Sequence, residues 1–502
     1  MMPAAADPRQ RSRVPIAPLA WRLTPAALLL AACTVGPNYK PPTPQVPPHW
    51  SSQALDSAPR ASSVTEQDEP ASQWWREFHD ATLDSLIERA QSVNLDVRLA
   101  LLRIDEARVQ RAIARAGYLP TVALDASYTR QRFSETTPTG SLFNSVGSIH
   151  LPGGESVSIP NPYNQFQLSG GIAWEIDLFG RVRRSVEAAQ ANLQVSAEDH
   201  RAVILALLSD VSEGYLELRG AQERLRVARE NLDTIQELLE LTRNRRDAGL
   251  VTQIDVSNAA AQAEVTRAEI PALEMQITQS VNLLSRLLDR EPEALRAELG
   301  APMTLPAVPD TVAIGVPSAL ARRRPDIREA EANLHAATAQ IGVAVASLFP
   351  SLTLAATGGD QSETLGHLFE WASRFGSVGP TFDLPVLDVG RWKTVRLYDV
   401  RAQEAALSYR RAVLAALHEV ENALAAYSAD QQRRLALEAA VAQNRDALAL
   451  SRQRYEKGLT SFIDVLDADR SLQQNDLALA AARVAVSTDL VEIFRALGGG
   501  VP

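Results

Sequence analysis

Two hydrophobic periods alternate along the 502-residue chain. From Leu83 to Gly117 apolar residues recur at helical spacing: Leu83, Leu86, Ile87 and Ala90, then Leu95, Leu99, Leu102 and Ile104. After Leu119-Pro120 the period becomes two. Val122, Leu124, Ala126 and Tyr128 alternate with Ala123, Asp125, Ser127 and Thr129, which predicts a strand over about 121–133. A Gly-, Pro-, Ser- and Asn-rich loop follows from Ser134 to Asn164. The clearest strand comes next, over about 165–176. Phe166, Leu168, Gly170, Ile172, Trp174 and Ile176 fall on one face, and Gln165, Gln167, Ser169, Gly171, Ala173 and Glu175 on the other. An apolar face opposite a small or polar one, over roughly ten residues, is the pattern of a membrane-barrel strand. Trp174 stands near the strand end, where aromatic girdles meet a membrane interface.

The second half repeats this order. Asp326–Ala346 reads as helix, and Pro350, Leu352 and Leu354 repeat Pro120, Val122 and Leu124. Strands are predicted over about 351–357 and 377–384, around a Gly/Ser-rich loop from Thr357 to Gly376. Long helical patterns then run from Arg181 to Ala248 and from Arg391 to Lys457. Each ends at a glycine able to take a left-handed turn, Gly249 or Gly458, and each is followed by a second helix. The segments at the two turns match at a constant offset of 209: RRDAGLVTQIDV from Arg245 and RYEKGLTSFIDV from Arg454. The chain therefore reads as an internal duplication of helix, strand, long loop, strand, long helix, tight turn, long helix.

These lengths have consequences. A helix of about 68 residues spans roughly 100 Å, and its apolar stripe (Leu205, Leu208, Val211, Tyr215 and Leu218; Leu414, Leu417, Val420, Leu424 and Tyr427 in the second half) needs neighbours to cover it. A soluble coiled-coil rod, a non-conducting periplasmic scaffold, would satisfy the helices alone. The strands count against it. Four strands with a lipid-type face close no barrel, and an open edge in lipid is costly, so strands must pair between chains. Two chains would supply eight strands and three would supply twelve; only the wider barrel leaves an aqueous channel.

Just beyond the second turn, Ser461 is a plausible helix N-cap. Ile463, Asp467 and Arg470 stand at i, i+4 and i+7, with Asp464 three residues before Asp467. On spacing alone this is a solvated face of i, i+3 pairs, worth tenths of a kcal/mol. In a symmetric oligomer each residue becomes a ring, and carboxylate rings act as charged constrictions. The first repeat keeps Asp255 but has Asn258 where the second has Asp467.

A net charge of −10, with pI near 5.4, argues against nucleic acid as the main partner. The single cysteine, Cys33, follows Arg9, Arg11, Arg13, Arg22 and an apolar run from Leu23 to Ala32 that is too short to span a bilayer. This is a secretory leader, residues 1–32. Leu30-Ala31-Ala32-Cys33 resembles the lipobox of bacterial lipoproteins, in which the cysteine is acylated; Thr34 after it, rather than Asp, favours the outer membrane by the sorting pattern of such proteins. Residues 33–72 then form a lipidated terminus and a Pro-, Ser- and Ala-rich extended linker without a core of its own. Trp74, Trp75 and Phe78 open the folded part as core anchors. The seven histidines are scattered without metal-ligand spacing, and GxSxG, P-loop and GxGxxG contexts are missing, so neither metal, cofactor nor enzyme chemistry is expected. Glu175 and Asp177, although paired carboxylates, end a strand and read as a barrel rim.

Together, Cys33-Thr-Val-Gly-Pro-Asn-Tyr39, Trp74-Trp75, Arg323-Arg-Pro-Asp326, Phe349-Pro350, Arg454-Tyr455 with Gly458-Leu459, Asp464-Val-Leu-Asp467 and Arg495-Ala-Leu-Gly-Gly-Gly500 resemble the TolC-like outer-membrane factors, in particular the NodT-type lipoprotein branch of tripartite efflux systems. The resemblance runs from Cys33 to the C-terminus; each motif is weak alone, and their order makes the match specific. It implies a mixed α and transmembrane-β fold: a homotrimer with one 12-stranded barrel, four strands per chain, continued by an α-helical periplasmic barrel. It divides the chain into a first repeat at 73–287, an equatorial segment at 288–324 and a second repeat at 325–502. It implies acylation of Cys33, outer-membrane lipid around Phe166, Leu168, Ile172 and Trp174, and a periplasmic gate at Ile463, Asp464, Asp467 and Arg470. Hairpin tips at Gly249, Leu250, Gly458 and Leu459 would meet a periplasmic adaptor protein, itself joined to an inner-membrane pump of the RND type. The expected function is a passive, gated exit duct. The stretch before Leu23 is longer than a leader of this family, which leaves a start downstream of Met1 open.

Overall fold

The computed structural model describes residues 34–51, 63–66, 71–134, 136–138, 141, 149–150, 156–157 and 161–500; the leader and Cys33 lie outside them. A short strand β1 (Ser63–Thr65) precedes helices α1 (Ala81–Val93) and α2 (Leu95–Ala116), strands β2 (Thr121–Gln131) and β3 (Tyr163–Ile176), and the helices α3 (Arg181–Asp247) and α4 (Gln253–Leu287). After β4 (Thr311–Ala313) come α5 (Pro325–Ala346), β5 (Ser351–Ser362) and β6 (Arg374–Asp383), then α6 (Val389–Glu456) and α7 (Phe462–Ala496). The chain is mostly helical. It forms two compact units, one of Met1–Tyr39, Arg111–Ala188 and Ala337–Val400, the other of Lys40–Gln110, Ala189–Ala336 and Arg401–Pro502.

The first unit holds a four-stranded antiparallel sheet in the order β2-β3-β5-β6. Its register pairs Thr121 with Ala173, Ile176 with Leu352, and Leu352 with Phe382. The second-half strands run further than their sequence period suggests. Residues 358–362, read as loop, continue β5, and Arg374–Gly376 begin β6. Packing explains one glycine there: a Cβ on Gly359 would sit 2.1 Å from the Leu168 carbonyl oxygen, so only glycine lets β5 approach β3 at that point. The loop thus shrinks to residues 363–373, which carry two short 3-10 turns.

Each long helix leaving the sheet is capped by an aspartate. Asp177 accepts the Val182 and Arg183 amides at 3.0 and 2.9 Å, and Asp388 accepts the Arg391 amide at 3.1 Å. Glu175 accepts two hydrogen bonds from Arg181, at 2.8 and 2.5 Å. The paired carboxylates at this strand end therefore hold the strand-to-helix turn. Arg184, its side chain buried, donates to Asn38 Oδ1 at 2.6 Å and to Glu187 at 2.7 Å, and so ties down the segment after Cys33.

The second unit has an apolar core from α1, α3, α4, α6 and α7. Trp74, Trp75 and Phe78 are buried in it, with Trp74 stacked on Phe494 at 5.1 Å. One expectation is corrected here. The segment read as a linker without a core carries Trp50, which is 3% exposed within this core and donates from Nε1 to the Gly315 carbonyl at 2.8 Å. β1, from the same segment, pairs in parallel with β4. Proline and serine content hid an extended segment that packs by borrowing the core of its neighbours.

Candidate functional site

Two features stand apart from ordinary core building: an outward apolar sheet face and a pair of helix-hairpin tips.

On β3 the polar face is the more enclosed one. Ser169 is buried, and Gln165, Gln167 and Ser169 form a side-chain ladder with 3.3 Å steps. On the other face Ile172 and Trp174 are exposed, as are Val122 and Leu124 on β2 and Val378 on β6. Phe166 packs against Tyr128 at 4.8 Å, and Trp174 donates to the Tyr118 carbonyl at 3.0 Å. Apolar side chains outward and polar ones inward invert the pattern of a soluble sheet. β2 and β6 are the sheet's two edges.

In the second unit, the α3–α4 and α6–α7 hairpins turn through Gly249 and Gly458, at φ +74° and +71°. At the first tip the Leu250 amide reaches the Arg245 carbonyl at 2.9 Å, and at the second the Leu459 amide reaches the Arg454 carbonyl at 2.9 Å, closing each helix with the same motif. Leu250 and Leu459 are left exposed. The tips adjoin. Arg245 lies over the Tyr455 ring at 4.6 Å and donates to the Glu456 carbonyl at 3.1 Å. Beneath them Ile235, Leu238, Val256, Tyr455, Phe462, Val465 and Leu466 form a separate apolar cluster.

Ile463, Asp464, Asp467 and Arg470 are all exposed. Their roles differ. Asp464 belongs to the start of α7: its Oδ2 accepts the Ser461 amide at 3.0 Å and the Ser461 and Thr460 hydroxyls at 2.6 Å each. The Ser461 hydroxyl foremost, then that of Thr460, holds its carboxyl below the ordinary carboxylate range. Asp467 and Arg470 face each other more loosely, 4.0 Å apart, and Arg470 Nε donates to Gln262 Oε1 of α4 at 2.8 Å.

Sequence reading missed the residue behind this stripe. Asp469, on the buried face of α7, is 1% exposed. Its Oδ2 accepts from Gln473 Nε2 at 2.7 Å, and Gln473 Oε1 accepts from Thr266 at 3.1 Å and Gln262 at 3.3 Å. Burial pushes the Asp469 carboxyl up to about 6, against the pull of Arg470 and Arg452. A signal existed. Phe462, Val465, Leu466, Asp469 and Gln473 follow the i, i+3, i+4, i+7, i+11 spacing of one buried face, so an acid stands in an apolar register.

No helix among the described residues is long and apolar enough to cross a membrane. The inverted sheet face, joined in one chain with two helical hairpins of this length, is the make-up of an outer-membrane channel protein. The comparisons agree. The family model described as "outer membrane efflux protein" matches residues 86–290 and 316–499, and the chain belongs to that family. It is 33% identical over 471 residues to nodulation protein T of Rhizobium leguminosarum bv. trifolii, covering 91% of this chain and 92% of that one. It is 34% identical to the outer membrane protein OprJ of Pseudomonas aeruginosa, covering 94% of each. Among solved structures it is similar to the outer-membrane channel OprN, with a TM-score of 0.82 and 33% identity over 93% of this chain and 99% of that one. Members of this family are efflux channels, not enzymes.

Proposed function

We propose that the chain is one protomer of a homotrimeric exit duct of a tripartite efflux system. It carries small molecules passively across the periplasm and the outer membrane. The observation that carries this reading is the inverted face of β3 in a sheet with two edges: three such sheets, joined edge to edge, give a closed barrel of twelve strands with lipid outside and a polar lumen. An internal duplication is supported by matched helix lengths, 22 residues each for α2 and α5, 67 and 68 for α3 and α6, and 35 each for α4 and α7. The exposed tips at Gly249, Leu250, Gly458 and Leu459 suit an adaptor protein that links the duct to an RND-type pump. Ile463, Asp464, Asp467 and Arg470 form the periplasmic gate, with the Asp467–Arg470 contact as its loose latch. Cys33 carries the lipid anchor.

Single-channel conductance in planar bilayers tests the duct, with wild type beside the Asp464→Ala/Asp467→Ala double variant. Small, flickering wild-type currents that grow in the variant are expected. Silence in both, from an intact trimer, would leave a non-conducting periplasmic scaffold as the better reading. Cys33→Ser is expected to abolish acyl labelling, and persistent label would exclude the anchor.

A further inference from the structure

Two glutamines, Gln473 and Gln262, connect the buried acid of α7 to the exposed stripe. Asp469 accepts from Gln473, Gln473 accepts from Gln262, and Gln262 accepts from Arg470, which faces Asp467. Arg470 is thus held by an amide whose other hydrogen bond ends, one step on, at Asp469. The Asp469 side chain is poorly provided for as an anion: Oδ2 has the Gln473 amide, while Oδ1 is buried without a hydrogen-bond partner among the described residues. A carboxylate offers several acceptor positions, and leaving them unfilled away from water is costly, far more so for the charged form than for the acid. The α4 side chains that meet this network, Gln262 and Thr266, are neutral. The cations acting on Asp469 are Arg470 on its own helix and Arg452 on α6, and Arg452 is shared with Glu237 of α3 at 3.4 Å and with Glu456 at 3.8 Å.

We propose that Asp469 is a proton-operated positioning residue for the gate: as the neutral acid it keeps α7 packed on α4 with Arg470 held by Gln262, and as the anion it loosens that packing and frees Arg470. This rests on the gate reading above. Because burial raises the carboxyl to about 6, the packed hairpin binds its proton more tightly than a loosened one. Packing is therefore strongest at low pH. It weakens as pH rises through the ordinary carboxylate range towards 6, and the loss is complete above that. Asp464 acts in the opposite sense: its carboxyl is held low, so it stays ionised across this window and contributes no switch there.

The test is bilayer conductance of the full-length protein at pH 4.5 and pH 7.5, for wild type, Asp469→Asn, Gln262→Leu and Asp467→Ala, with trimer integrity checked by native electrophoresis. Wild type should conduct up to about thirtyfold more at the higher pH: the carboxyl rises from 3.8 to about 6, each pKa unit is a factor of ten in the equilibrium, and part of the titration lies below pH 4.5. Asp469→Asn should stay at the low-pH level at both values. Gln262→Leu, which cuts the connection to Arg470 without touching the acid, should conduct at both. An Asp469→Asn or Gln262→Leu channel that keeps the wild-type pH profile would overturn the inference. Asp467→Ala separates this from the gate itself: if its leak equals that of wild type, the gate reading fails; if it leaks while Asp469→Asn keeps the wild-type profile, only the role of Asp469 fails.

Discussion

At the first hairpin tip Gly249 turns the chain at φ +74°, Thr252 opens α4, and Asp255 accepts the Thr252 amide at 2.9 Å. At the second, Gly458 turns at +71°, Ser461 opens α7, and Asp464 accepts the Ser461 amide at 3.0 Å. Leu250 and Leu459 are 65% and 64% exposed. At these positions the tips are alike. At others in the first turns of α4 and α7 they part. Gln253, Asn258, Ala260 and Ala261 occupy the places that Phe462, Asp467, Asp469 and Arg470 take in the second hairpin. One backbone design thus serves twice, once with a neutral face and once with a charged face backed by a buried acid. The shared part suits a common docking task. The unequal part suits a task that only one hairpin performs, and the proposed gate is such a task.

The largest test of this asymmetry concerns anchorage. Phe462 is 3% exposed and meets the Tyr455 ring edge-on at 5.9 Å, whereas Gln253 is exposed and only accepts from Arg246 at 3.1 Å. Phe462→Ala should cost about 3–5 kcal/mol, as for other buried phenylalanines. Gln253→Ala should cost only about 0.5 kcal/mol, as for a surface side chain. Thermal unfolding of the purified protein in detergent reads both. Equal losses would mean that the second hairpin is no more firmly anchored than the first.

The next test exchanges the chemistry at the matched position. Asp467→Asn makes the second hairpin resemble the first, and Asn258→Asp does the converse. Asp467→Asn should raise bilayer conductance severalfold, because Arg470 loses its charged neighbour at 4.0 Å. Asn258→Asp should leave conductance at the wild-type level, since Ala261 offers no arginine to pair with it. A rise in both would make the hairpins functional equals.

The sequence carried much of this comparison and stopped at identifiable places. Helical and two-residue periods located the strands and long helices, and the match around Gly249 and Gly458 brought the tips into register. Three features escaped for different physical reasons. Gly359 looked like a loop residue because a glycine's role in letting strands approach is set by the strand across from it, here Leu168 and Ser169. Trp50 looked like a residue of an extended linker without a core because its partner, the Gly315 carbonyl, is 265 residues away. Asp469 is one of four charged residues from Asp464 to Arg470, and its residue type alone does not set it apart from Asp464 and Asp467. Its interest lies in standing where the helical period demands an apolar residue. Cys33, legible as a lipidation signal, lies outside the described residues.

The smallest expected effect distinguishes cap from charge. Ser461→Ala and Thr252→Ala each remove one hydroxyl from matched helix starts, and at neutral pH both should lower the melting temperature slightly and by similar amounts. Their pH dependence gives the sharper reading for the second hairpin. The Ser461 hydroxyl is the foremost cause of the low pKa of Asp464, so its contribution is present above the ordinary carboxylate range and is lost as pH falls through the depressed value. The gap between wild type and Ser461→Ala should therefore be open at pH 7 and closed in strong acid, where Asp464 is protonated in both. A gap that persists unchanged into acid would mean that Ser461 stabilises the tip without Asp464. The carboxylate would then be free to serve the channel mouth beside Asp467 instead of the helix start.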